Sequence, residues 1–318
     1  MNLTQPIQFK PLFMERVWGG RHLETVFGKL LPPGVRIGES WELVDRVDAQ
    51  SVVDGGVFDG QTLHQLWSEH RTGIFGERHQ AGGERFPLLI KWLDARERLS
   101  VQVHPPEEVA AELGGEPKTE MWYVAAADDD AELFAGLVKG TDRAAFESAL
   151  ERGEVERLLH RLPSHVGDCL FIPSGRVHAI GGGNVILEVQ QNSDTTYRVF
   201  DWNRKGLDGK PRELHIPASL RSIDFDDWEP TYQSGENAPE EPLVASPFFE
   251  VEHWELEAPR DAGLFGDFSV ITVLTGAIRC GGREFFPGDC FLIPAKLVER
   301  LLIPLKPDTT LLKTTIPA

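Results

Sequence analysis

The segment GDCLFIPSGRVH (Gly167–His178) recurs near the end of the chain as GDCFLIPAKLVE (Gly288–Glu299), with Gly, Asp, Cys, Ile and Pro in matching positions. A Gly-Asp turn that leads into a strand ending at Ile-Pro is typical of a β-hairpin. A strand-like run, Phe268–Leu274, also precedes the second copy. The repeat therefore predicts two copies of one β-barrel module.

The rest of the sequence has the pattern of an all-β protein with many short elements. Its 31 Gly and 22 Pro separate runs that are rich in β-branched and aromatic residues. Such runs favour strands over helices. We predict strands at Ser51–Phe58, Phe86–Leu93, Leu99–His104, Met121–Ala126, Asn184–Gln190 and Phe268–Leu274.

Two stretches break the strand pattern. Pro106–Leu113 and Asp142–Leu162 are rich in Glu, Ala, Leu and Arg, and apolar residues of the second recur at near-helical spacing. They predict a small helical insertion at about 106–162 in a mainly β fold. Gln61–Ser68 and Gly73–Phe75 predict further short helical pieces.

The segment 226–247 has the composition of a linker, because it is rich in Pro and acidic residues and has little apolar pattern. It divides the chain into a predicted first domain, 1–225, which contains the helical insertion, and a second β domain, 248–318.

Composition and charge exclude several classes of protein. The 318 residues include 50 Asp and Glu against 32 Lys and Arg, which gives a formal net charge of −18. Because nucleic-acid binding requires basic residues that neutralise phosphates, this balance argues against a DNA or RNA partner. A hydrophobic fraction of 41% is enough for a folded core. The sequence makes no prediction of oligomeric state.

The sequence also gives no sign of membrane association or secretion. No run approaches the roughly 18 apolar residues needed to span a bilayer, and we identify no signal peptide. Cys169, Cys280 and Cys290 are odd in number and have no CxxC spacing. Buried thiols in a reducing compartment are expected from this pattern, so we predict a cytoplasmic location.

Four residues form a candidate metal site. Gln102 and His104 are two apart in a strand-like run, so both side chains point to one face of the strand. Glu120 begins another apolar strand, and His178 ends the first repeat segment. Two imidazoles and two oxygen ligands suit Zn²⁺ and leave a position for water or substrate.

The same residues leave other interpretations open. The ligand types also fit Fe²⁺ or Mn²⁺, and two His with one carboxylate resemble the facial triad of non-haem iron oxygenases. Taken singly, Gln102 and His104 are also typical of a hydrogen-bonded pair, Glu120 of a surface acid and His178 of a hydrogen-bonded histidine.

Four long motifs occur in an order that resembles type I mannose-6-phosphate isomerases (phosphomannose isomerases) of the short bacterial form. They are LSVQVHPP (Leu99–Pro106), KTEMWY (Lys118–Tyr123), FIPSGRVHAIGGG (Phe171–Gly183) and QQNSDTTYRVFDW (Gln190–Trp202). Weaker matches are RVWGG (Arg16–Gly20), GESWE (Gly38–Glu42) and LLIKWLDA (Leu88–Ala95).

The resemblance implies a tandem cupin fold, that is, two jelly-roll barrels of the double-stranded β-helix type. It also implies one Zn²⁺ per chain and the reversible interconversion of mannose 6-phosphate and fructose 6-phosphate. The family's metal ligands fall on Gln102, His104, Glu120 and His178. Because Glu299 stands in the second repeat where His178 stands in the first, we predict a second cupin domain without metal.

A hexose phosphate substrate requires local positive charge in an acidic protein. Lys91, Lys118, Arg176 and Arg198 are the candidates in the sequence. The resemblance places Lys118 and Arg198 in the site as catalytic residues and Lys91 near it as a substrate-binding residue, with weak support for Arg176. Ser100 shares the predicted strand face of Gln102, so we also predict that it binds substrate.

Isomerisation through an enediol needs a base and stabilisation of an oxyanion, and it needs no redox cofactor. We expect Lys118 or a group beside the metal to move the proton, and the sequence leaves this choice open. Two alternative functions are a cupin-type non-haem Fe(II) oxygenase and a non-catalytic protein that binds sugar phosphates.

Overall fold

The computed structural model describes residues 3–233, 241–263 and 266–317. Short antiparallel strands make up most of it, and the strands are β1 (Ile7–Lys10), β2 (Leu12–Gly20), β3 (Ile37–Leu43), β4 (Val52–Val53), β5 (Leu88–Ala95), β6 (Val101–Val103), β7 (Glu120–Ala127), β8 (Glu132–Leu137), β9 (Leu159–Pro163), β10 (Cys169–Ile172), β11 (His178–Ile180), β12 (Asn184–Gln191), β13 (Tyr197–Phe200), β14 (Val244–Ala245), β15 (Glu250–Leu256), β16 (Arg260–Asp261), β17 (Ser269–Thr275), β18 (Ile278–Cys280), β19 (Arg283–Phe285), β20 (Cys290–Ile293), β21 (Leu301–Pro304) and β22 (Thr309–Thr315).

The helices are few and short. The α-helices are α1 (His22–Phe27), α2 (Leu63–Glu69), α3 (Arg71–Ile74), α4 (Glu107–Ala110), α5 (Arg143–Glu151) and α6 (Ile216–Ser222), and 3-10 turns occur at Gly56–Phe58, Glu77–His79, Ala111–Leu113 and Val155–Leu158. In the described part of the chain, no helix has the length and apolar character that crossing a bilayer requires.

The strands form two barrels, each built from two sheets. In the first barrel, a sheet of order β10-β7-β12-β5-β3-β2 faces a sheet of order β13-β6-β11-β8-β9. The second barrel combines β14-β15-β22-β17-β20-β1-β4 with β16-β21-β18-β19. In each barrel, apolar side chains from both sheets belong to the same buried cluster, so a hydrophobic core lies between the two sheets. The predicted mainly β fold is therefore confirmed.

The two copies of the sequence repeat adopt the same local structure. Gly167 and Gly288 have φ of 96° and 88°, a backbone conformation that favours glycine. Each turn leads into a short strand, β10 or β20, which pairs with the strand predicted before it, β7 or β17. The repeat is thus a hairpin unit of each barrel.

A shared apolar core joins the two barrels. Residues on the outer face of β5, β7 and β12 belong to the same buried cluster as residues of β17, β20 and β22. The indole Nε1 of Trp92 donates to the Gly288 carbonyl at 3.1 Å, and the Tyr123 ring stacks on His253 at 5.8 Å. Because successive residues of a strand alternate faces, the neighbouring Lys91 points into the first barrel.

The N-terminal strand crosses the predicted division of the chain. β1 pairs with β20 and with β4, so it lies inside the sheet of the second barrel. The domain bounds 1–225 and 248–318 stay a prediction, and they do not account for this strand. Part of the predicted linker 226–247, residues 234–240, lies outside the described residues.

Most strand predictions agree with the structure, and Ser51–Phe58 does not. This run forms only the two-residue β4 and a 3-10 turn. Gly55 and Gly56 have φ of 81° and 74°, which interrupts an extended backbone. The helical pieces predicted at 61–68 and 73–75 are present as α2 and α3, and Thr62 closes a capping box at the start of α2.

The segment 106–162 is helical only in part. Helix α4 and helix α5 lie within it, and strands β7 and β8 of the first barrel stand between them. The helix predicted through Asp142–Leu162 is interrupted at Gly153, which adopts a φ of 69°, and resumes only as the 3-10 turn Val155–Leu158. The prediction was wrong for residues 159–162, which belong to β9. Asp142 caps α5 by accepting from the Ala145 amide at 2.8 Å.

We expect Trp92→Ala to destabilise the whole protein by about 3–5 kcal/mol, because it removes a large buried side chain between the barrels. Urea unfolding measures this change. Trp228, which is 42% exposed, provides the matched control, and Trp228→Ala should cost about 1 kcal/mol or less. Equal losses for the two variants would contradict the view that the shared core supports both barrels.

Candidate metal centre

Three predicted ligands meet inside the first barrel. His104 follows β6, Glu120 begins β7 and His178 begins β11. Their ligand atoms all lie within 4.8 Å of one another, and all three side chains are buried. Two facing sheets therefore bring together residues that are far apart in sequence.

Backbone carbonyl groups orient the two imidazoles. His104 Nδ1 lies 2.8 Å from the Thr195 carbonyl oxygen, and His178 Nδ1 lies 2.9 Å from that of Arg176. Since a carbonyl oxygen only accepts, each Nδ1 carries the proton and each Nε2 keeps its lone pair. The Nε2 atoms of His104 and His178 lie 3.4 and 3.5 Å from the Glu120 carboxylate oxygens.

Both imidazoles are held in the neutral form. Burial lowers the pKa of His104 to about 4, and the Lys118 ammonium contributes to this shift. Burial likewise lowers the pKa of His178 to about 4. Burial by itself raises the pKa of Glu120, but Lys118, His104 and His178 together outweigh this effect and hold that pKa well below its usual value. Neutral imidazoles beside a carboxylate are the protonation states that a metal ion requires.

The donor set fits a metal ion. Glu120 Oε1 and His178 Nε2 are buried and have no hydrogen-bond partner among the described residues. Buried polar atoms are normally paired, so two unpaired lone pairs that face each other indicate a missing positive group. Two imidazole nitrogens and a carboxylate suit Zn²⁺.

The strand register places Gln102 and Arg198 beside these ligands. Gln102 pairs directly with His178 on one side and with Arg198 on the other. Directly paired residues share a face of the sheet, so all three side chains lie on the inner face of the barrel. Gln102 as a fourth metal ligand stays a prediction.

A row of buried charges extends from the ligand group into the barrel. Lys118 Nζ lies 2.7 Å from Glu120 Oε2 and 3.6 Å from Glu188 Oε1, and it is 3.3 Å from His104 Nε2. Lys91 Nζ lies 2.8 Å from the same oxygen of Glu188. Burial acts to lower the pKa of Lys91, but the carboxylates around it, above all Glu188 and Glu39, together outweigh burial and raise this pKa above its usual value.

Glu188 is a site residue that the sequence reasoning missed. It joins Lys91 to Lys118, and its second oxygen accepts from Trp122 Nε1 at 3.0 Å. The Trp122 ring packs edge-on against the His178 ring, with 5.3 Å between the two centroids. A single Glu in the apolar run NVILEV was the available signal, because an acid in a buried strand requires a partner.

The remaining predicted residues differ in their surroundings. Arg198 donates from Nη1 to the Glu213 carbonyl at 2.8 Å, whereas its buried Nε has no hydrogen-bond partner among the described residues. Burial lowers the pKa of Arg198. Ser100 is buried next to β6. Arg176 forms two 2.7 Å hydrogen bonds to Asp227, which engages its guanidinium away from the ligand group.

Glu39 extends the charge row toward the surface. Its carboxylate accepts from Arg16 Nε at 2.9 Å and from Trp41 Nε1 at 2.6 Å. Burial raises the pKa of Glu39, but the charges of Lys91 and Arg16 outweigh it and lower the pKa to about 2. The GESWE motif thus supplies a structural anion behind Lys91.

We expect Glu39→Gln to reduce stability most above pH 4.5 and less at lower pH. The folded pKa of about 2 lies below the value of 4.5 for the free group, so ionised Glu39 contributes stability above pH 4.5. That contribution, about 3 kcal/mol, is lost as the pH falls toward 2. Urea unfolding of both proteins between pH 7 and 2.5 measures it, and a difference that stays constant would contradict this origin.

Comparison with known proteins identifies the family of this chain. The family model for the catalytic domain of type I phosphomannose isomerase matches residues 7–142. The chain is 40% identical to mannose-6-phosphate isomerase ManA of Bacillus subtilis, over 93% of this chain and 95% of that protein. It is 37% identical to a mannose-6-phosphate isomerase of Streptococcus mutans, over 92% and 93% of the two chains.

Solved structures show the same architecture. The crystal structure of mannose 6-phosphate isomerase from Bacillus subtilis matches with a TM-score of 0.86 at 31% identity, over 98% of this chain and 99% of that one. A mannose 6-phosphate isomerase bound with zinc and yttrium matches at 0.73 and 16% identity, over 98% and 100%, which shows the fold alone. The predicted tandem cupin fold is confirmed. Because mannose-6-phosphate isomerases that are 40% and 37% identical to it align over 93% and 92% of its length, the chain belongs to the type I mannose-6-phosphate isomerase family.

Proposed function

We propose that this chain interconverts mannose 6-phosphate and fructose 6-phosphate reversibly, with a Zn²⁺ ion held by His104, Glu120, His178 and Gln102. The observation that carries the metal assignment is the buried pair of unpartnered donor atoms, Glu120 Oε1 and His178 Nε2. Family membership supports the reaction and does not favour the oxygenase alternative. The three buried free thiols are compatible with the predicted cytoplasmic location.

The reaction moves a proton between two adjacent carbons of an open-chain sugar. A base removes the proton from one carbon, the resulting enediol receives it on the other, and the hydroxyl proton passes from one oxygen to the other, so the two carbons exchange oxidation states without a redox cofactor. Zn²⁺ supplies Lewis-acid stabilisation of the negative charge that develops on the substrate oxygens. The residues around the ion then have to hold the sugar and carry the proton.

Lys118 is our proposed proton-transfer residue. Its ammonium lies within 3.6 Å of three polar groups, on Glu120, Glu188 and His104, and it is nearly inaccessible to solvent. A buried amine held beside ligand atoms has a defined position relative to a substrate bound there. His104 and Glu120 are occupied as ligands in this proposal, which leaves Lys118 as the mobile proton carrier.

Arg198 and Lys91 supply further positive charge inside the barrel. Arg198 faces the barrel interior on β13 and has one guanidinium nitrogen without a hydrogen-bond partner among the described residues, so it is free to stabilise the enediolate oxygen. Lys91 is charged and oriented by Glu188. We keep Lys91 and Ser100 as proposed substrate-binding residues.

We expect chelation to abolish isomerase activity and one equivalent of Zn²⁺ to restore it. A coupled assay for fructose 6-phosphate, combined with metal analysis, measures both changes. His178→Ala should bind at least tenfold less Zn²⁺ at a given free concentration, because it removes a ligand. Glu299→Ala changes the matching position of the second repeat, which is exposed, and should keep metal and activity. Full activity in metal-free protein would refute the proposed role of the ion.

We expect Lys118→Met to lower kcat by about 10²–10⁴-fold while Zn²⁺ stays bound, since it removes the proton carrier and keeps the ligands. Steady-state kinetics and metal analysis of the same sample separate these effects. Lys296→Met, at an exposed position in the second barrel, is the matched control. An unchanged kcat for Lys118→Met would exclude Lys118 from proton transfer.

A further inference from the structure

A fully buried amide faces the metal centre from β12 and has no role in the reaction described above. Gln190 pairs with Glu120 on β7 and with Leu89 on β5. Because paired residues share a face and alternate residues of a strand share a face, Gln190 lies on the inner face with both Glu120 and Glu188. It occupies the same row of the barrel as the carboxylate ligand.

The hydrogen bonds of Gln190 fix the orientation of its amide. Nε2 donates to the carbonyl oxygens of Gln191 and Ser193, each at 2.7 Å. Both amide hydrogens are therefore used, and a rotation of the amide by 180° would bring its oxygen against two carbonyl oxygens. The loop after β12 thus holds the Oε1 atom in a defined position.

The Oε1 atom of Gln190 has no hydrogen-bond donor among the described residues. Gln190 Oε1 is buried and lacks a hydrogen-bond partner among the described residues, as do Glu120 Oε1 and His178 Nε2. A metal cation satisfies the lone pairs of the Glu120 carboxylate and the His178 imidazole. The amide oxygen of Gln190 is neutral, and a hydroxyl group is a suitable hydrogen-bond donor to it. A sugar brings several hydroxyl groups into this space.

We infer that Gln190 binds the substrate by accepting a hydrogen bond from one hydroxyl of the sugar chain, and that it selects hexose phosphates carrying this hydroxyl. The inference rests on the proposed isomerase function. Carbons 1 and 2 react and carbon 6 carries the phosphate, so the partner is the hydroxyl of carbon 3, 4 or 5. A site built around a hydroxyl discriminates against an analogue without it, because the buried acceptor is then left unpaired.

The test compares mannose 6-phosphate with its 3-deoxy, 4-deoxy and 5-deoxy analogues on Zn²⁺-loaded protein, by turnover and by calorimetric binding. In the unmodified protein one analogue should lose roughly 10- to 100-fold in kcat/KM and in affinity. In Gln190→Met, which has similar volume and no amide oxygen, the parent sugar and that analogue should differ by less than about threefold. Metal content should not change.

Gln191→Met is the matched control. Gln191 pairs with Leu88, so its side chain lies on the opposite face of β12, where Oε1 accepts from the Thr119 amide at 2.8 Å. This variant loses a glutamine at the same strand end and should keep the discrimination of the unmodified protein. If Gln190→Met does not fold, Gln190→Ala takes its place in the comparison.

Two results would overturn the inference. One is that the unmodified protein has the same kcat/KM and affinity for all three analogues as for the parent sugar. This result requires no variant. The other is a Gln190 variant that retains the full discrimination. Selective binding without any turnover would instead refute the proposed isomerase function and support the assignment of Gln190.

Discussion

Charges that leave water need partners within a few ångströms, and the interior of the first barrel meets this demand by alternating their sign. Glu188 lies between Lys91 and Lys118, and Lys118 in turn contacts Glu120. Glu188 and Lys118 each contact two charges of opposite sign, so removing any member of the row takes a partner from at least one neighbour. The packing of the barrel therefore holds the Lys118 ammonium and the Glu120 carboxylate in contact with each other.

Strands β5, β7 and β12 carry the charged row on one face and the contact with the second barrel on the other. On the inner face of β5, β7 and β12 the polar row sits at one end and an apolar cluster fills the rest of the barrel, with Trp122 between them. On the outer face the same strands pack against the second barrel. That barrel thus serves as the support that keeps the strands of the first one in register.

Much of this arrangement follows from sequence patterns of short range. The repeat predicted two hairpin units, and the spacing of Gln102 and His104 predicted a shared strand face. What the sequence did not reveal depends on contacts between distant segments. Glu188 acquires its role only when β12 aligns with β5 and β7. The end of helix α5 has a local cause instead, because Gly153 adopts a positive φ just after the helix. Neither feature leaves a periodic signal.

The pairing of β1 with β20 bears on how this chain is made. The partner of Ile7–Lys10 is Cys290–Ile293, so the whole intervening chain has to be synthesised before β1 gains its neighbour on that side. Contacts of such long sequence separation slow folding and leave a strand edge exposed meanwhile. A translation product that stopped before Cys290 would therefore carry an open edge on β1 that is prone to aggregation.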